Sequence, residues 1–111
     1  MNLTQEIKNK LIYFIENCND HIGKSLYFQE ALSTDKNKLD RHCTTFSSTE
    51  FIVTTIGVRT SGARLVFSGG KLMYEIAMDL LTHFEENKTE IQFIETYSDK
   101  VYRITKLKIT D

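Results

Sequence analysis

Residues 68–87, S-G-G-K-L-M-Y-E-I-A-M-D-L-L-T-H-F-E-E-N, decide how the rest of the chain is read. Leu72, Met73, Ile76, Ala77, Leu80, Leu81 and Phe84 recur at helical spacing, which gathers apolar side chains on one broad side of a helix. Glu75, Asp79, Thr82 and Glu86 follow at steps of four, three and four, so the same helix would stack them in one polar row. Ser68 suits an N-cap and Asn87 a left-handed C-terminal residue. The stretch predicts a helix.

Upstream, the period changes to two. Residues 51–58, F-I-V-T-T-I-G-V, are rich in β-branched side chains and predict a strand, with a turn at 60–63 and a returning strand at 64–67. Downstream, residues 89–97 put Ile91 and Phe93 on one face and Gln92 and Ile94 on the other. After a turn at 98–100, residues 101–110 form another strand, whose apolar parity shifts near Thr105 and predicts a bulge or bend there.

Earlier still, Leu3, Ile7, Leu11, Phe14, Ile15, Cys18 and Ile22 mark a first helix over about residues 4–19. Residues 24–50 stay undecided: Leu26 and Phe28 alternate as in a strand, whereas Leu26, Tyr27, Ala31 and Leu32 also fit a short helix. Residues 33–41 are polar and read as a solvated loop. The expected fold is a two-layer α+β domain over residues 1–111. A four-stranded antiparallel sheet of two hairpins carries two main helices on one face. The order is helix, undecided segment, hairpin, helix, hairpin.

With 111 residues, 41% hydrophobic and 26% charged, the chain can build a core without disulfides or metal. A formal net charge of -1 supplies no global field to recruit nucleic acid or anionic lipid. Cys18 and Cys43 are too few for a disulfide framework, and the apolar run at 11–15 is too short for a signal segment or a membrane span. A cytoplasmic protein is expected.

Catalytic and cofactor motifs are weak. Gly69-Gly70-Lys71 lies at a strand–helix step, but Gly62 is too far back and Leu72 replaces the magnesium-binding hydroxyl of a phosphate loop. Cys18, His21, His42, Cys43 and His83 lack the spacing of a tetrahedral metal site, and no nucleophile, base and orienting group emerge together. The sequence therefore predicts no metal, no cofactor and no enzymatic role.

Three binding readings remain. The acidic row Glu75, Asp79 and Glu86, with Thr82 among them, suits a basic partner protein. A stoichiometric inhibitor is the first expectation, and an immunity protein that neutralises a nuclease toxin is one concrete form. Arg59, Arg64, Tyr102 and Arg103 would instead give an open sheet face the basic and aromatic groups that single-stranded nucleic acid requires. A small-molecule pocket between sheet and helices is the third.

Overall fold

Residues 68–87 form strands, not a helix. The computed structural model describes residues 4–36, 45–59, 62–98 and 100–109. Strand β4 (Arg64–Gly69) turns at Gly70 and Lys71 into β5 (Leu72–Ala77), with Gly69 paired to Leu72 and Gly70 at a φ of 60°. That positive φ is the reason for glycine at the turn. A short 3-10 turn, Met78–Leu80, then leads into β6 (Leu81–Glu86).

The helical periodicity arises from breaks in strand phase. Tyr74 and Ile76 are buried at a period of two, the 3-10 turn resets the phase, and a register shift between Leu81 and His83 resets it again before the buried Phe84. Two short alternations thus mimic steps of three and four. Leu80 is only half-buried, and Leu72 and Met73 are exposed. Asn87 closes a hairpin rather than a helix: its Oδ1 accepts from the Thr89 and Glu90 N–H groups.

The undecided segment also contains strands, β1 (Ser25–Ser33) and β2 (Thr45–Ile52), while part of the polar loop between them lies outside the described residues. Strand β3 (Thr55–Arg59) continues the line of β2 after a break at Val53 and Thr54. The turn expected at 60–63 lies partly outside the described residues, as does Thr110. Strands β7 (Glu90–Ser98) and β8 (Val101–Ile109) complete the order. The expected four-stranded sheet under two helices is replaced by a five-stranded sheet, β2-β1-β8-β7-β6, and a three-stranded sheet, β3-β4-β5. All pairs are antiparallel.

The neighbour relations close into a ring. β2 runs on into β3 and β5 into β6, so each bent strand pairs in one sheet with its first half and in the other with its second. β8 pairs with β1 and shuts the circuit. The result is a flattened antiparallel barrel whose two sheets face each other.

Phenylalanines fill the space between. Phe28 on β1 meets Phe67 on β4 at 5.5 Å between ring centroids, and Phe67 meets Phe93 on β7 at 6.4 Å. Among the described residues there is one α-helix, α1 (Gln5–Glu16), capped by the Thr4 hydroxyl on the Ile7 N–H. It closes the end where β6 diverges from β4. Phe14 enters there, with ring centroids 5.6 Å from Phe84, 6.3 Å from Phe93 and 6.4 Å from Phe67.

Of the bulge or bend expected near Thr105, the bulge is absent, because β8 keeps register with both neighbours from Tyr102 to Leu107. Its parity shift arises because buried side chains lie on both of its faces. Thr105 and Leu107 point inward, while Ile104 is buried on the outer face.

Candidate functional site

The four residues of the acidic row sit on three surfaces. Glu75 and Asp79 lie beside the outer face of the three-stranded sheet. There they meet two of the residues expected on a nucleic-acid face: Arg59 Nη2 is 3.0 Å from Glu75, and Arg64 Nη1 is 3.5 Å from Asp79. Acid and base neutralise each other across the strands. Glu86 lies near α1, 3.8 Å from Nε2 of His21. Thr82 and Tyr102 share a cleft on the outer face of the five-stranded sheet.

Arg103 points the other way from Tyr102, as neighbours on a strand must. It enters the barrel at the end away from α1. Its Nε donates to Glu30, its Nη1 donates to Glu95 at 3.0 Å and to the Glu75 carbonyl at 2.8 Å, and its guanidinium lies 4.8 Å from the Tyr74 ring centroid. Glu95 is 0% exposed and also accepts from the Ala77 N–H at 2.9 Å and the Tyr97 hydroxyl at 3.2 Å. Tyr74 shares a 2.7 Å hydrogen bond with the Thr105 hydroxyl.

Burial disfavours the Arg103 charge, but Tyr74 and the Glu95 and Glu30 carboxylates outweigh it and hold the guanidinium firmly protonated. Burial pushes the Tyr74 hydroxyl well above the ordinary tyrosine range, and burial with the Glu95 charge raises that of Tyr97. Every group in this cluster has a protein partner. Its chemistry is structural.

The cleft differs. Cross-strand register builds it in three rows on the outer face. Thr82, Thr96 and Tyr102 form a hydroxyl row, in which Thr82 and Thr96 share a 2.8 Å hydrogen bond. Next come Ala31, Ile104, Ile94 and His83, aligned by register across β1, β8, β7 and β6. Gln92 and Glu85 pair in the third row, and Glu85 also lies 3.4 Å from His83 Nε2.

Of the middle row, Ile94 and His83 line the recess, and Ala31, Ile104 and Ile94 are buried although they face away from the barrel interior. Lys36, three residues beyond β1, lines the same recess as Thr82 and His83 on β6, at the far side of the sheet. The cleft encloses about 720 Å³, within the range of small-molecule sites.

Sequence reasoning separated Gln92 and Ile94 from Ile91 and Phe93 correctly, but it did not connect them with Lys36, His83 or Glu85. Their signal was the mixed outward face of β7, amide, aliphatic and hydroxyl at alternate positions, where a solvated face carries charges. Among the described residues, no group of three histidine, cysteine or acidic side chains gathers to hold a metal ion. The chain matches no family model, no curated protein and no solved structure.

Proposed function

We propose that this protein is a non-enzymatic binding module whose ligand is a small polar molecule held in the cleft on the outer face of the five-stranded sheet. The observation that carries the reading is the convergence of polar side chains from β6, β7 and β8 around the buried aliphatic floor at Ile94. Polar groups that converge on a concave surface fix a ligand's orientation, and here they outnumber the one aliphatic side chain, Ile94, which suits a polar ligand.

The other two readings each required side chains of one sign on one surface. Glu75 and Asp79 face Arg59 and Arg64, and Arg103 lies inside the barrel with Glu95. A stoichiometric protein inhibitor and a nucleic-acid-binding face therefore have less support than the cleft. No helix among the described residues is long and apolar enough to cross a membrane. The proposed location remains cytoplasmic, in keeping with the free, buried Cys18.

A ligand-observed NMR screen of polar metabolite-sized compounds tests the reading. Gln92→Trp, at a half-buried cleft position, serves as the blocked variant. Compounds that bind the native protein should lose binding to Gln92→Trp. Hits that bind both proteins equally would place the site elsewhere and sink the proposal.

A further inference from the structure

We infer that the cleft takes an uncharged, hydroxyl-rich ligand about two rings long, a disaccharide or a unit of an oligosaccharide. The inference rests on the cleft being the binding site, and three of its properties carry it.

The first is charge. Lys36 and Glu85 both line the recess, and the other lining groups are hydroxyls, an amide, an aliphatic side chain and the His83 imidazole beside Glu85. A ligand of one net sign would be drawn to one of these groups and repelled by the other, so no net charge is selected, and a zwitterion is the charged competitor that the dipeptide in the test represents.

The second is hydrogen-bonding character. Lys36 can only donate, Glu85 can only accept when ionised, and Gln92 and the threonine hydroxyls do both. Groups of all three kinds are satisfied together by a ligand whose own groups donate and accept at the same atom, as sugar hydroxyls do. The half-buried Tyr102 ring, beside the nearly covered Ile94, is the apolar surface for the C–H face of such a ring.

The third is length. Thr96 and Gln92 stand four residues apart on one face of β7, and a strand rises about 3.4 Å per residue, so the two polar rows lie roughly 13 Å apart. One pyranose ring is too short to touch both rows. Two linked rings span them, with Ile94 beneath the linkage.

The test is an amide-resolved NMR titration of the whole chain with neutral disaccharides (maltose, cellobiose, lactose and trehalose), beside adenosine monophosphate and a dipeptide. At least one disaccharide should move the amides of Gln92, Ile94, Thr96 and Tyr102 saturably. Gln92→Ala and Glu85→Ala should each weaken that binding about 2–10-fold, the loss of one hydrogen bond. If the nucleotide or the dipeptide moves these amides and no disaccharide does, the sugar inference falls while the cleft reading stands. If no disaccharide moves them, the sugar inference falls as well, and the cleft is then judged by the broader screen. Should a disaccharide bind Gln92→Trp as well as the native chain, both readings fail together.

Discussion

Glu95 and Arg103, opposite each other on β7 and β8, hold the free edge of β5 to the other sheet: Glu95 accepts the Ala77 N–H, and Arg103 donates to the Glu75 carbonyl. Where a barrel would continue its backbone ladder, two side chains take its place. An ion pair buried this way is costly to break from one side, because the survivor keeps its charge without a partner. Arg103→Met should therefore destabilise the protein by about 3–5 kcal/mol in urea unfolding. The double variant Glu95→Gln, Arg103→Met removes the orphaned charge and leaves an amide oxygen for the Ala77 N–H, so it should cost less than Arg103→Met alone. An equal or larger cost would show that the pair is not acting as a charged seam.

Tyr74 gives the fold an alkaline limit. Its folded-state hydroxyl is raised above the ordinary value of 10.0, so its contribution is complete below that value and is lost as pH rises beyond it. Urea midpoints of the native protein should decline above about pH 10. Tyr74→Phe should lose about 1–3 kcal/mol at neutral pH, since the buried Thr105 hydroxyl loses its partner, yet decline less steeply in alkali. Parallel declines would show that Tyr74 is not the group responsible.

Two glycines should respond oppositely to alanine. A Cβ on Gly69 would overlap the Ile52 carbonyl where the β4–β5 hairpin crosses β2, so Gly69→Ala should destabilise by about 1–3 kcal/mol. Gly57 on β3 has open space around that position and no positive φ, and Gly57→Ala should be neutral or stabilise by up to about 1 kcal/mol. Thermal unfolding of the pair, read side by side, separates steric approach from backbone freedom.

Phe14 is the plug of the helix-covered end. Phe14→Ala should cost about 3–5 kcal/mol, whereas the exposed neighbour Tyr13→Ala should change stability by about 0.5 kcal/mol or less. Similar effects for the two would mean that α1 is not seated between the sheets.

Much of this architecture is legible from residue types, and the rest is hidden for identifiable reasons. The spacing of Leu11, Phe14 and Cys18 announces α1, and the alternation of Ile91 and Phe93 announces β7 with the right face inward. Residues 68–87 mislead because a 3-10 turn and a register shift displace an alternating pattern into a helical one. The pattern of β1 reads as either strand or helix because Glu30 faces inward to meet Arg103, while Ala31 is buried on the outer side. Glu95, Arg103 and Thr105 are polar inward-facing residues for the same reason, and a rule that sends polar side chains to solvent reverses them. The cleft depends on Lys36 and β6, on opposite sides of the sheet order, lining one recess, a juxtaposition that no local pattern encodes.

The pairing of β1 with β8 joins segments whose partners, such as Leu26 and Ile109, are on the order of eighty residues apart in the chain. On the ribosome β1 emerges early, and the neighbour that closes the ring is made only after every intervening strand. Until then one side of β1 has only solvent or a stray strand to bond with. Contacts this distant are slow to form, and an unpaired strand edge invites association with other chains meanwhile. Refolding should accordingly be slow for a domain of this size, and its yield should fall as protein concentration rises.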